Sequence, residues 1–174
     1  LVYEVQDEEK GISFIEKIEV QGNTKTKDKV IRRELAVSPG EIFDMVRVQR
    51  TKGRLEQMAF FEKVETNVET TDIPNRKNLV IDLEEASTGN IEFGAGFSSV
   101  DNLIGFIGFR EGNFDLFNPP YFRGGGQKFR INVTMGTRRR DYQITFIEPW
   151  FLNRRLSLQT DLFHREFQFY SDIY

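Results

Sequence analysis

The chain has 174 residues, 39% apolar and 29% charged, and its formal net charge of −3 gives no excess that argues for nucleic acid. It contains no cysteine, which excludes disulfides, cysteine nucleophiles and thiolate metal sites. No apolar run reaches the ~18 residues of a transmembrane helix, although a chain that alternates lipid-facing and polar residues would look equally soluble on average.

The opening stretch LVYEVQDEEKG lacks a basic segment, an apolar core and a cleavage site, so it does not read as a signal peptide. It can instead be laid on LVIDLEEA at 79–86 with an offset of 78, Leu1 on Leu79 and Val5 on Leu83. That spacing predicts a tandem array, residues 1–10 being the end of a preceding repeat and the chain part of something longer.

Residues 12–86 mix strand and helix periods. Ile12, Phe14, Ile18 and Val20 are expected on one strand face, ended by Gly22-Asn23. Thr26 can cap a short helix carrying Val30, Ile31 and Leu35, and Pro39-Gly40 then breaks the chain. Asp44 is the next N-cap, before Val48, Leu55, Met58 and Ala59 at helical spacing, a helix that Gly53 weakens. After Phe60-Phe61, the alternation Val64, Thr66, Val68 predicts a strand. Pro74-Asn75 turns the chain into another, with Leu79, Ile81 and Leu83. The order is β-α-α-β-β, an α+β module.

From residue 88 the helical period disappears. STGNIEFGAGFSS at 87–99 places Ile91, Phe93, Ala95 and Phe97 on one face and Asn90, Glu92, Gly94 and Gly96 on the other. A second strand covers Leu103 to Glu111, its register open between Leu103, Ile107, Phe109 and Ile104, Phe106. Phe129 to Met135 and Arg140 to Glu148 follow, joined by a short turn at Gly136-Thr137-Arg138-Arg139. A fifth strand has Leu156, Leu158 and Leu162 against Ser157, Gln159 and Asp161. Strands of about 9–11 residues fit a tilted bilayer crossing. A soluble sandwich would alternate too. Against it stand the missing helices after residue 88 and the aromatics at strand ends: Phe114, Phe117, Tyr121 and Phe122, then Trp150 and Phe151. Five strands cannot close a membrane barrel, so either further strands belong to the protein or several chains close one together.

The residues FIEKIEVQGNTKTKDKVIRRELAVSPGEIFD and RLEQMAFFEKVE resemble a POTRA (polypeptide-transport-associated) domain. The resemblance rests on the I-x-V-x-G-N strand end, the R-R-E helix end, the P-G turn and the L-x-x-x-G/A-F-F-x-x-V join from Leu55 to Val64. TGNIEFGAGFSS is similar to the first barrel strand of the BamA-like family, the central subunits of the bacterial β-barrel assembly machinery. The loop FNPPYFRGGG at 117–126 is longer than is common there. The resemblance implies a membrane-proximal POTRA domain at 12–86, in the periplasm, and the first five of about sixteen outer-membrane barrel strands at 88–174. It also implies a protein that folds and inserts unfolded outer-membrane proteins without ATP or cofactor, beside accessory assembly lipoproteins and outer-membrane lipid.

On that likeness Ile91, Glu92, Phe93, Gly94, Ala95, Gly96 and Phe97 form a candidate gate strand, whose unpaired edge would template an incoming strand. Gly94 and Gly96 could serve opening or only barrel curvature. Arg32, Arg33 and Glu34 are the candidate accessory-protein contact, a solvated helix end being the alternative. Val64, Thr66 and Val68 mark a candidate substrate-edge strand, where charged neighbours could equally be protective. No catalysis, cofactor or metal is expected: His164 is the only histidine, Asp7-Glu8-Glu9 and Glu84-Glu85 have no evident partners, and Gly124-Gly125-Gly126 lacks a phosphate-loop context. A two-partner-type secretion pore and a soluble POTRA interaction module remain the alternatives.

Overall fold

The computed structural model describes residues 11–99 and 102–168, so the expected end of a preceding repeat at 1–10, with Asp7-Glu8-Glu9, lies outside the described residues. Residues 11–24 and 31–85 cluster as one compact unit, and 25–30 with the described residues from 86 onward cluster as a second.

Five elements run through the first part of the chain: β1 (Phe14–Gln21), the one-turn α1 (Asp28–Arg32), α2 (Met45–Gln57), β2 (Phe61–Thr70) and β3 (Arg76–Glu85). The sheet order is β1-β3-β2, with β1 parallel and β2 antiparallel to the central β3. Being central, β3 carries an almost continuous apolar run, and Leu79, Val80, Ile81 and Leu83 are all buried. Ile15, Ile18, Ile31, Val37, Val48, Leu55 and Val64 complete the core.

The face expected of β1 needs correction. Ile12 and Phe14 are exposed, whereas Ile15 and Ile18 are buried. The pairing with β3 shifts register between Ile15 and Ile18, and such a bulge turns two residues of opposite parity toward one core. A strict period of two cannot register that extra residue.

Asp44 caps α2 as expected, its carboxylate accepting from the Val46 amide at 2.8 Å. The helix buries Val48, Thr51 and Leu55 and ends at Gln57, short of Met58 and Ala59. Ala59 turns the chain with a φ of 55°, and the buried Phe60 and Phe61 meet edge to face at 6.3 Å before β2 begins.

Gly22, after β1, has a clear physical requirement. Its φ is +85°, and a Cβ there would lie 1.9 Å from the Leu83 carbonyl oxygen. Gly40 shares the same φ but has nothing within 4 Å of a Cβ. Gly22→Ala should therefore cost about 3 kcal/mol, combining left-handed strain of about 1–2 with overpacking of about 1–3. Gly40→Ala should show the strain alone. The shift in urea midpoint of the two variants tests the difference.

The second unit holds a meander of five antiparallel strands: β4 (Gly89–Ser98), β5 (Asn102–Phe114), β6 (Gln127–Gly136), β7 (Arg139–Glu148) and β8 (Leu158–Phe167), paired in chain order. The open register of β5 is resolved by its partners. Leu103, Ile107 and Phe109 face Phe97, Phe93 and Ile91, whereas Ile104 and Phe106 lie with Gly96 and Gly94. One face of the sheet thus carries Ile91, Phe93, Phe97, Leu103, Ile107, Met135, Ile144 and Leu162, all exposed. Leu156 falls in the turn before β8, where its carbonyl accepts from the Phe151 amide at 2.8 Å.

Candidate gate strand and a buried polar cluster

Among the described residues β4 pairs with β5 alone, through ten consecutive residues from Gly89 opposite Glu111 to Ser98 opposite Asn102. Its other edge carries no partner among those residues. Phe93 is 82% exposed and Phe97 88% on the apolar face. On the opposite face Glu92 meets Arg110 at 3.2 Å. Thr145 donates to Asp161 at 2.6 Å and Arg139 pairs with Asp141, so this side is a hydrogen-bonded polar surface.

The two glycines of β4 differ. A Cβ on Gly94 would come within 2.5 Å of the Phe106 ring, whereas one on Gly96 would meet only Ile104 Cγ2, at 3.9 Å. Phe106 on β5 covers the bare backbone of Gly94, the cross-strand arrangement in which an aromatic ring compensates a strand glycine. Gly94→Val should cost about 1–3 kcal/mol by displacing that ring, and Gly96→Val much less. If the ring is the cause, Phe106→Ala will remove most of the Gly94→Val penalty in a double-mutant cycle on denaturant midpoints. Additive losses would refute it.

The other sequence-derived sites lie in the first unit. Both Arg32 Nη atoms reach the Ile18 carbonyl at 3.5 Å, and the Glu34 carbonyl accepts from Arg54 at 3.4 Å. The R-R-E helix end is therefore tied to its own fold through two of its residues. β2 is an edge strand in which Val64 is buried, Thr66 half-buried and Val68 exposed. Glu62, Lys63, Glu65 and Glu69 line it outwardly. Lys63 sits 3.0 Å from Glu65 and 3.8 Å from Glu84; the Glu65 hydrogen bond, then its charge and that of Glu84, raise the lysine pKa.

A cluster that sequence reasoning passed over sits at the foot of β4. Glu111, Asn113 and Asp115 are each no more than 4% exposed, and Gln127 is also buried. The Glu111 carboxylate accepts from the Thr88 hydroxyl, from the Asn113 amide at 3.0 Å and from Arg123 Nε at 3.0 Å. Asn113 donates to Thr26 Oγ1 at 2.8 Å and accepts from the Gly126 amide at 2.9 Å. Asp115 pairs with Lys27 Nζ at 2.5 Å, and Gln127 links the Leu116 amide to Glu148. Lys25–Val30 clusters with this unit. The Lys27 amide donates to the Gly124 carbonyl at 3.0 Å, and a Cβ on Gly124, whose φ is +100°, would lie 2.0 Å from the Lys25 oxygen. The glycine run thus admits a close backbone approach. Polar residues at 111 and 113 near the end of β5, and at 115 just after it, were the available signal.

His164 lies on β8 beside Glu166 at 3.0 Å, opposite Tyr142. Among the described residues no group of three or more His, Asp or Glu side chains could hold a metal ion.

Comparison with known proteins bears on both parts. The POTRA family, described as a surface antigen variable number repeat, matches residues 13–86, and the Omp85 superfamily domain matches residues 122–174. The chain is 28% identical over 155 residues to the outer membrane protein assembly factor BamA of Neisseria meningitidis, covering 88% of this chain and 18% of that protein. It is 32% identical over 101 residues to BamA of Neorickettsia risticii, covering 57% of this chain and 13% of that one. The crystal structure of Haemophilus ducreyi BamA lacking POTRA domains 1–3 superposes with a TM-score of 0.75 at 27% identity, over 89% of this chain and 28% of that chain. The chain therefore spans less than a fifth of the length of these two curated relatives, whose names are those of assembly factors rather than enzymes.

Proposed function

We propose, for a chain that is BamA-like in both its parts, a periplasmic POTRA domain followed by an antiparallel sheet of the outer-membrane Omp85 type, a role in folding and inserting other outer-membrane β-barrels. The observation that carries this reading is the exposed apolar face of strands about ten residues long, with Ile91, Phe93, Phe97, Leu103, Ile107 and Leu162 opposite a polar face, the pattern of a lipid-facing barrel wall. When the β4 edge of such a barrel opens, its N–H and C=O groups recruit an extended strand. Each pairing step exchanges hydrogen bonds and moves apolar side chains into lipid, so the process needs no nucleotide, cofactor or catalytic side chain.

In this reading residues 91–97 form the gate strand, the β2 edge around Val64, Thr66 and Val68 receives unfolded barrel substrates, and Arg32-Arg33-Glu34 contacts accessory lipoproteins. The domain limits are 12–86 for the POTRA repeat and 88–174 for barrel strands, after the tail of a preceding repeat at 1–10. The exposed Ile91, Phe93 and Phe97 disfavour a soluble interaction module. The assembly-factor names of the relatives favour insertion over a secretion pore.

The test is folding of a urea-unfolded outer-membrane barrel into phospholipid vesicles containing the full-length protein, followed by heat-modifiable migration on gels. Faster folding than in protein-free vesicles is expected. Equal rates, together with export of a soluble partner, would replace this reading with the pore.

A further inference from the structure

On the polar face of the five-stranded sheet, Arg110 of β5 and Arg130 of β6 stand directly opposite each other. Like charges so opposed in an antiparallel pair repel and destabilise it. Glu92 lies 3.2 Å from Arg110 and offsets part of that repulsion. Arg130 has no carboxylate within ion-pair distance among the described residues. Asp161, two strands away, is engaged instead by Thr145 Oγ1 at 2.6 Å and Gln159 Nε2 at 2.7 Å. A local rule broken in this way marks a place kept for something other than stability.

The next row of the same face runs Glu92, Gly108, Asn132 and Gln143 across four strands. A Cβ at Gly108 would come within 2.9 Å of Asn132 Oδ1, so the bare backbone there lets the Asn132 amide lie over β5. A cavity of about 330 Å³ spans these rows, lined by Arg110, Arg130 and Asn132 and, further along, by Arg139, Asp141 and Arg165. Arg139 Nε donates to Asp141 at 2.6 Å. Four guanidinium groups against the carboxylates of Glu92 and Asp141 leave the lining two positive charges in excess. Lys128 and Asp161, flanking it on the same face, cancel each other.

We propose that this cavity binds a phosphate dianion, free or as a monoester. Arg110 and Arg130 grip its oxygens with their planar N–H forks, which match phosphate in geometry. The Asn132 amide supplies a neutral donor, and the excess of two charges matches the charge of the ligand. Its binding turns the repulsion between the two arginines into a shared contact that ties β5 to β6. The site requires only that this face be wet, so it is separable from the insertion role.

Calorimetric titration of the full-length protein, folded in detergent micelles at constant ionic strength in chloride, tests it with inorganic phosphate, glycerol 3-phosphate and dimethyl phosphate. Saturable binding of the first two is expected. Dimethyl phosphate, a monoanionic diester, should bind about tenfold more weakly, and equal binding would overturn the assignment to a dianion. Tighter binding of glycerol 3-phosphate identifies a monoester as the occupant, and weaker binding identifies free phosphate. Arg130→Gln should weaken phosphate about tenfold, and Arg130→Lys, which keeps the charge but not the fork, by less. Glu92→Gln frees Arg110 and should tighten binding about threefold, a gain that a merely disturbed sheet would not give. Unchanged affinity in Arg130→Gln would remove the arginine pair from the site. Heat-modifiable migration of the same samples reports the barrel separately. A heat-modifiable protein that takes up no phosphate would sink the site and leave the barrel. Arginine-dependent binding without heat-modifiability would keep the site and remove the barrel.

Discussion

Glu111→Ala should lower the stability of the folded protein by about 2–4 kcal/mol, the cost of leaving the hydrogen bonds donated by Thr88 and Asn113 without their acceptor. Glu111 is 2% exposed, and the substitution would orphan the Thr88 hydroxyl and the Asn113 amide, while the half-exposed Arg123 guanidinium turns to water. Glu111→Gln keeps an acceptor for Thr88 and Asn113 but loses the charge facing Arg123, so a smaller loss of about 1–3 kcal/mol is expected. Because Thr88 immediately precedes β4 and its carbonyl accepts from the Gly112 amide at 3.0 Å, the alanine variant should also loosen the start of that strand. Two measurements check this: the urea midpoint of the vesicle-folded full-length protein, and hydrogen exchange at Gly112. An unchanged midpoint would mean that the cluster does not hold the strand. If the midpoint falls and Gly112 stays protected, the cluster acts elsewhere than at β4.

How much of this was legible in the sequence depends on the kind of signal. The strands of the second unit were readable because their two faces differ so sharply that a period of two survives through 91–97, 103–109, 129–135, 140–146 and 158–164, the register shifting only between Glu111 and Phe114. The cap at Asp44 was readable because capping is local chemistry. The core face of β1 was not, since its bulge exists only in relation to β3. The Glu111 cluster was hidden for a similar reason. Its members look like ordinary solvated polar residues until the β5–β6 loop folds Arg123 back over them. Gly124-Gly125-Gly126 was legible as a permissive backbone but not as a seat for Lys25, because nothing local names the segment that approaches. Gly94 and Gly96 look alike in the sequence, and only the register separates them, bringing Phe106 over the first and leaving the second open.

Phe93→Arg should cost about 2–4 kcal/mol when the protein is folded into vesicles, the penalty for a cation on the lipid side of a barrel strand near mid-bilayer. Phe93 lies centrally in β4, opposite Ile107, on the face that includes Ile91 and Phe97. Two companion variants tell lipid from a hidden protein layer. Phe93→Leu should be nearly neutral, because fluid acyl chains adapt to a change of shape, whereas a close-packed protein core does not. Thr134→Arg, on the polar face with Phe106 as its neighbour, should cost under about 1 kcal/mol, since that side tolerates charge. The readout is the urea midpoint of refolding into vesicles for the three variants. A large loss for Phe93→Leu alongside Phe93→Arg would indicate that a packed layer covers this face. A neutral Phe93→Arg would mean that the face stays in water, and the assignment of Ile91, Phe93 and Phe97 to lipid would then fail.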